Sequence, residues 1–151
     1  MAVHEGGCAC GAVRYVVAGP PKWASHCHCR DCRRVTGAPY VTYAGFLAPQ
    51  VTWEGTAPLR YHSSPGVTRR FCATCGTPLT YEGDRWPDEV HILAATLDDP
   101  SRITPQAHVY VAQKLPWVHL GDGLPRYRTF SGEVHSFPTR RSSDLDRKSV
   151  V

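Results

Sequence analysis

The sequence predicts an all-β fold that contains only a few short helices. Glycine and proline each occur 13 times in 151 residues and methionine occurs once, a composition typical of strands joined by turns rather than of a helical bundle. Several short segments are rich in β-branched and aromatic residues, as expected of strands. Only one short segment in the first part of the chain has the pattern of a helix.

Seven segments along the chain have the pattern of strands, and turn-forming residues separate them. The strands are predicted at residues 12–17, 40–43, 51–53, 59–62, 67–71, 79–82 and 89–95. Residues 63–66, Ser-Ser-Pro-Gly, predict a hairpin between the fourth and the fifth of these strands. The short helix is predicted over residues 30–35, because Gly37 favours a helix end.

The length of the chain predicts a single domain over residues 1–134. A chain of this size fits one domain, and no linker divides it. Three prolines predict that residues 100–128 are mostly irregular: Pro105, Pro116 and Pro125.

Residues 135–151, HSFPTRRSSDLDRKSVV, differ in character from the rest of the chain. The segment is polar, basic and aperiodic, and it resembles a translation of two abutting sequencing adapters. We therefore expect a non-native, disordered tail and exclude it from the fold. Without its four basic and two acidic residues, the formal net charge falls from +4 to +2.

Charge and hydropathy exclude several classes of protein. The small positive charge does not predict a nucleic-acid partner. No segment approaches the ~20 apolar residues of a membrane span, and the N-terminus lacks a basic region followed by an apolar stretch. An odd number of cysteines, seven, without a secretion signal favours metal or thiol chemistry over disulfides and predicts the cytoplasm. The sequence predicts no particular oligomeric state.

All seven cysteines lie in three clusters whose spacing is typical of metal sites. The first and last clusters, C-x-C and C-x-x-C, together offer four thiols for a closed, structural zinc site: Cys8, Cys10, Cys72 and Cys75. The middle cluster, C-x-C-x-x-C, offers three thiols for a second ion: Cys27, Cys29 and Cys32. Three protein ligands are the arrangement of catalytic zinc sites, and soft thiolates favour zinc over magnesium or calcium.

Other interpretations of the clusters stay open at the level of the sequence. A single structural zinc with three idle thiols, buried unligated cysteines, disulfides and an Fe–S cluster would each use the same residues. His26 could supply a fourth ligand to the middle cluster. His28, between two cysteines, could be a base, a group that supports the ligands, or a turn residue that faces solvent.

Several segments carry a resemblance to a known family. They are Gly-Cys-Ala-Cys-Gly at 7–11, Cys-His-Cys-Arg-Asp-Cys-Arg at 27–33, Phe-Cys-Ala-Thr-Cys-Gly at 71–76, and the stretches 114–117 and 122–127. Together they resemble the glutathione-dependent formaldehyde-activating enzyme family, the GFA/CENP-V group, from about residue 4 to 130. The resemblance implies a β-tent, in which zinc pins two antiparallel sheets.

The resemblance also implies cofactors and an activity. It implies a structural zinc on Cys8, Cys10, Cys72 and Cys75 and a more labile, catalytic zinc on Cys27, Cys29 and Cys32. The implied activity is that of a carbon–sulfur lyase similar to S-(hydroxymethyl)glutathione synthase, whose partner is a small thiol such as glutathione. Arg33 is the candidate residue for binding a substrate carboxylate. The alternative function is a non-catalytic, zinc-stabilised binding or redox-sensing module, which the lack of an obvious general base favours.

Overall fold

Strands dominate residues 2–129, the part of the chain that the computed structural model describes. The ten strands are β1 (Val3–Gly7), β2 (Val13–Ala18), β3 (Trp23–Cys27), β4 (Val41–Leu47), β5 (Val51–Gly55), β6 (Leu59–Ser64), β7 (Val67–Phe71), β8 (Pro78–Gly83), β9 (Glu89–Leu93) and β10 (His108–Val109). The helical segments are α1 (Arg30–Thr36) and four short 3₁₀ turns at Ala48–Gln50, Ala94–Thr96, Pro100–Arg102 and Val111–Gln113. The prediction of an all-β fold with two sheets and few short helices is confirmed.

The chain groups into two compact units, each built from separate stretches of sequence. Unit 1 consists of residues 2–22 and Ala44–Ile103, and unit 2 consists of Trp23–Tyr43 and residues 104–129. The single domain over residues 1–134 stays a prediction. Its boundary lies outside the described residues, and so does the predicted tail at 135–151.

Unit 1 contains a three-stranded antiparallel sheet in the order β1-β2-β5. Along β2, Val13, Tyr15 and Val17 are fully buried, whereas the residues between them are partly exposed. This alternation is the period-two pattern of a strand with one buried face, in a segment predicted as a strand from its β-branched and aromatic residues. The hydroxyl group of Tyr15 lies 2.7 Å from Oγ1 of Thr96, so its buried oxygen is paired.

Unit 1 also contains strands of the second sheet, in the order β9-β8-β7-β6, which pair antiparallel. Strand β9 is buried along its whole length, and nearly all of β6 is exposed. Strands β6 and β7 form the predicted hairpin, in which Ser64 pairs with Val67. The turn residue Gly66 has a φ of 73°, a conformation that favours glycine.

Unit 2 contains a parallel strand pair, which departs from the antiparallel pairing that the resemblance implies. His108 and Val109 of β10 pair with His26 and Cys27 of β3 in the same direction. The two strands are 80 residues apart in the chain, which leaves room for the long connection that a parallel pair requires.

Helix α1, also in unit 2, follows β3 and confirms the predicted helix. It begins after Cys29, whose sulfur accepts a hydrogen bond from the Cys32 N–H, and it ends at Gly37 with a φ of 68°. The N–H of Gly37 donates to the carbonyl oxygen of Arg33, as in a left-handed helix cap. Within residues 2–129, no helix has the length and apolar character that crossing a membrane requires.

Candidate metal centres

Unit 1 brings the first and last cysteine clusters together in a four-thiol cluster. Its sulfur atoms lie within 4.8 Å of one another and belong to Cys8, Cys10, Cys72 and Cys75. The Sγ atoms of Cys8 and Cys10 are 3.6 Å apart, and those of Cys10 and Cys72 are 3.8 Å apart. Four sulfurs at about 2.3 Å from a tetrahedral zinc ion are about 3.8 Å from each other. The donor type and these distances therefore fit zinc.

Two similar tight turns present these thiols. The N–H of Gly11 donates to the carbonyl oxygen of Cys8 at 3.2 Å, and the N–H of Gly76 donates to that of Cys72 at 2.8 Å. Both glycines have a positive φ, 83° for Gly11 and 80° for Gly76. The positive φ explains why a glycine follows the second cysteine of each pair, since other residues rarely adopt this conformation.

Backbone N–H groups surround the two buried sulfurs of the four-thiol cluster. The N–H of Val13 donates to Cys8 Sγ at 3.2 Å, and the N–H groups of Thr74 and Cys75 donate to Cys72 Sγ at 3.3 and 3.4 Å. These donors stabilise negative charge on sulfur, which is the form that binds a metal.

Thr77 links the two turns and polarises an exposed thiol. Its Oγ1 accepts a hydrogen bond from the Ala9 N–H at 3.0 Å and lies 3.1 Å from Cys75 Sγ. Hydrogen bonds from the side chain and the N–H of Thr77, and from the Cys10 N–H, lower the pKa of Cys75 to about 5. A lowered pKa favours the thiolate, which is the form of cysteine that binds a soft cation.

Unit 2 contains the three-thiol cluster, formed by Cys27, Cys29 and Cys32 around the start of α1. Their sulfur atoms also lie within 4.8 Å of one another, and Cys27 Sγ is 3.6 Å from Cys32 Sγ. Cys27 and Cys32 are buried, and Cys29 is partly exposed. The hydroxyl group of Tyr43 donates a hydrogen bond to Cys32 Sγ at 3.3 Å.

The electrostatics of the three-thiol cluster fit a bound cation. Hydrogen bonds with the Cys29 and Cys32 thiols, followed by burial, raise the pKa of Cys27 well above its usual value. Three neighbouring, mostly buried thiols cannot all become anions unless a positive charge compensates them. A metal ion would supply that charge, and binding would then release protons.

His28 is fully buried, so the interpretation that it faces solvent is wrong. Its Nε2 lies 2.9 Å from Nδ1 of His108, and Nε2 of His108 lies 2.8 Å from Oδ2 of Asp122. Burial, with a smaller contribution from His108, lowers the pKa of His28 to about 3. Neither His108 nor Asp122 was predicted as a site residue, because no local spacing in the sequence connects either of them to His28.

His26 belongs to a separate group of donors. Its Nδ1 lies 2.7 Å from Oγ1 of Thr42, and its ring stacks on that of His108 with centroids 4.6 Å apart. One donor atom each of His26, His108 and Asp122 lie within 4.8 Å of one another. The group of donors around the three thiols does not include His26. This geometry does not favour His26 as their fourth ligand.

Among the arginines of α1, Arg33 has a distinctive position. Arg30 and Arg34 are exposed, whereas Arg33 is partly buried. Its Nε is buried and has no hydrogen-bond partner within the part of the chain that the structure describes. A buried donor without a partner is costly, which is consistent with a group that receives an anionic ligand.

A family model described as glutathione-dependent formaldehyde-activating enzyme matches residues 3–113. The chain belongs to this family. A relative from Halomonas elongata, named as a putative glutathione-dependent formaldehyde-activating enzyme, is 32% identical over 138 residues, which cover 85% of this chain and 87% of the relative. All seven cysteines lie inside the residues that the family model matches.

Two further similarities extend this result. An uncharacterized lyase of Schizosaccharomyces pombe is 30% identical over 115 residues, which cover 76% of this chain and 82% of the lyase. The crystal structure of a Rhodobacter sphaeroides protein has a TM-score of 0.53 and 24% identity, and the match covers 67% of this chain and 91% of that one. The structural similarity concerns the fold alone.

Proposed function

We propose that the protein is a zinc-dependent carbon–sulfur lyase that acts on an adduct of a small thiol, in the manner of S-(hydroxymethyl)glutathione synthase. The observation that carries this proposal is the three-thiol cluster, in which the sulfur atoms of Cys27, Cys29 and Cys32 come together at the start of α1. Membership of the glutathione-dependent formaldehyde-activating enzyme family, and the lyase name of one relative, support the reaction class. The family name also supports glutathione as the thiol.

The two clusters have different roles in this proposal. The structural ion would be held by Cys8, Cys10, Cys72 and Cys75, and the catalytic, more labile ion by Cys27, Cys29 and Cys32. When bound to three protein thiolates, zinc supplies a fourth position that favours a thiolate and lowers the pKa of a substrate thiol. The low net charge supports the part of the proposal in which no nucleic acid is a partner.

The proposed reaction joins a thiol to an aldehyde. The sulfur forms a bond to the carbonyl carbon, and the carbon–oxygen double bond becomes a single bond. The thiol loses one proton, and the oxygen gains one. The reverse reaction breaks the carbon–sulfur bond and returns the aldehyde and the thiol. No oxidant or reductant is needed in either direction.

The residues around the cluster would bind and orient the substrate. The Tyr43 hydroxyl group holds Cys32 Sγ by a hydrogen bond, which fixes the direction of that thiol. Arg33 lies one residue after Cys32, and its guanidinium group would pair with a carboxylate of the substrate. Holding a thiol and an aldehyde in one geometry removes much of the entropic barrier to their reaction.

The test compares Cys32→Ser with the wild type in three measurements. The variant should keep its circular dichroism spectrum, retain one zinc ion instead of two, and lose turnover of S-(hydroxymethyl)glutathione by about 100-fold or more. Elemental analysis gives the zinc content, and release of formaldehyde gives the rate. Full activity in this variant, or a wild type with two zinc ions and no turnover of thiol–aldehyde adducts, would contradict the proposal.

One observation favours a redox-sensing module as a second candidate. Cys27 Sγ and Cys32 Sγ are 3.6 Å apart, so a small movement would allow a disulfide between them. A peroxide would oxidise the two thiols to a disulfide and be reduced to water. This candidate predicts a loss of two mass units and release of one zinc ion at low peroxide concentrations, together with no lyase activity.

A further inference from the structure

We propose that Asp122 and His108 are positioning residues, which hold the ring of His28 in one orientation and thereby fix the segment that carries Cys27 and Cys29. This inference rests on the proposed metal role of the three-thiol cluster. It assigns a function to a chain of three side chains that the proposed reaction does not use. All of these residues lie in unit 2.

The chain of contacts runs from the surface to the three-thiol cluster. The carboxylate of Asp122 is partly exposed, and its Oδ1 accepts a hydrogen bond from the Leu124 N–H at 3.1 Å. Its Oδ2 lies 2.8 Å from His108 Nε2, and His108 Nδ1 lies 2.9 Å from His28 Nε2. Because His28 and His108 are 0% and 1% exposed, water cannot easily replace the contact between the two rings.

The carboxylate sets the direction of both hydrogen bonds. A carboxylate only accepts, so His108 must carry its proton on Nε2. Nδ1 of the neutral His108 ring is then an acceptor, and His28 must donate to it from its own Nε2. Asp122 thus selects one tautomer of His108 and, through it, one tautomer of His28.

The ring of His28 is coupled to the thiols through a short, well-held stretch of backbone. His28 stands between Cys27 and Cys29, so a rotation of its backbone would move both sulfurs. The N–H of His28 donates to the carbonyl oxygen of Val109 at 3.0 Å. The backbone and the ring of His28 therefore both attach to strand β10, which carries His108 and Val109. Two attachments on one residue restrict it more than either does alone.

A metal ion bound by His108 and its neighbours would predict the opposite tautomer of His108. His26, His108 and Asp122 could hold a metal ion, since one donor atom of each lies within 4.8 Å of the others. An ion between His108 and Asp122 would take the place of the proton on His108 Nε2. His108 would then carry its proton on Nδ1 and donate to His28.

The first experiment determines the tautomers directly in the full-length, zinc-loaded protein. Nitrogen-15 NMR of the imidazole rings distinguishes a proton on Nε2 from one on Nδ1. The positioning role requires Nε2–H in both His108 and His28. A proton on Nδ1 of His108 would overturn it, and a third zinc ion in the same sample would identify the alternative metal site as the reason.

The second experiment measures zinc retention after removal of the carboxylate. Asp122→Ala should lose the more labile zinc ion to a chelator at about tenfold lower chelator concentration, and the other ion should be unaffected. Asp98→Ala is the matched control, because Asp98 is also a partly exposed, paired carboxylate but lies in unit 1. Equal retention in wild type and Asp122→Ala would overturn the inference.

The outcomes separate this inference from the proposed reaction. Both experiments measure protons or zinc and use no substrate. A protein that shows the predicted tautomers and zinc retention but no lyase activity would refute the proposed reaction alone. If Asp122→Ala does not fold, the tautomers of the wild-type protein still decide the question.

Discussion

The sulfur atoms of Cys10 and Cys72 are 3.8 Å apart, although 62 positions separate the two residues in the chain. A metal ion shared by these two thiols, both in unit 1, would therefore close a long loop of the chain. A covalent crosslink of this span raises the free energy of the unfolded chain by about 4 kcal/mol, because it reduces the number of conformations open to that chain. Metal binding at the four-thiol cluster would thus contribute to the free energy of folding itself.

The two clusters should respond differently to the loss of one thiol. Cys72→Ser should lower the free energy of unfolding by about 4 kcal/mol or more, which is most of the stability of a domain at the low end of the usual range and would leave it largely unfolded. Cys29→Ser removes a thiol from a cluster that spans only six residues, and we expect it to stay folded. Urea denaturation followed by circular dichroism measures both. Equal destabilisation would contradict the division into structural and catalytic ions.

A side chain at position 76 should strain the backbone of the tight turn and destabilise the protein. Gly76→Ala places a Cβ in open space but at a φ of 80°, so the cost, about 1–2 kcal/mol, comes from backbone strain alone. Gly121→Ala is the matched control, because Gly121 also has open space around it and does not have a positive φ. Thermal unfolding of the zinc-loaded proteins compares them. A similar loss in both variants would show that conformation is not the cause.

Arg33 should affect substrate binding more than the chemical step. Arg33→Ala should raise KM for a glutathione adduct by about tenfold and change kcat much less, because a carboxylate contact is made in the ground state and in the transition state. Arg34→Ala, which removes the exposed neighbouring arginine, should leave both constants close to wild type. Steady-state kinetics of the two variants test the assignment, which a decrease confined to kcat would exclude.

Acid should destabilise the protein partly through His4. Burial, and then the charge of Arg102, lower the pKa of His4 below its usual value of 6.5. As the pH falls, His4 therefore takes up a proton in the unfolded chain before it does so in the folded protein. His4 has no effect on stability above about pH 6.5. Between pH 6.5 and the lower pKa of the folded state, it lowers the free energy of unfolding by up to about 1.4 kcal/mol per pH unit. His4→Gln should make the free energy of unfolding depend less on pH below about pH 6.5. His62→Gln, which changes an exposed histidine, should not.

Local signals in the sequence predicted much of the fold. Gly37 ended the predicted helix, and it adopts the left-handed conformation that ends α1. The Ser-Ser-Pro-Gly turn predicted the β6–β7 hairpin, and a run of β-branched and aromatic residues predicted β2. Each C-x-C or C-x-x-C turn brings two sulfurs close, and the structure places the thiols of the first and last cysteine clusters together in unit 1 and those of the middle cluster together in unit 2.

Features that depend on distant pairing could not be predicted in this way. Strand β10 has only two residues and lies in a proline-rich stretch, so it has no periodic pattern of its own. Its parallel pairing with β3 brings His108 to His28, and the mostly irregular stretch that follows β10 brings Asp122 to His108. A strand of this kind is defined by its partner, and a single sequence gives no information about that partner.

The parallel pairing of β3 with β10 has a consequence for the newly made chain. Because 80 residues separate His28 from His108, the ribosome takes roughly 4–16 s after it has added His28 to add His108. During that interval Cys27, Cys29 and Cys32 leave the exit tunnel without the strand that later supports them. The three thiols are then open to oxidants and to stray metal ions, and early capture of zinc would protect them during synthesis.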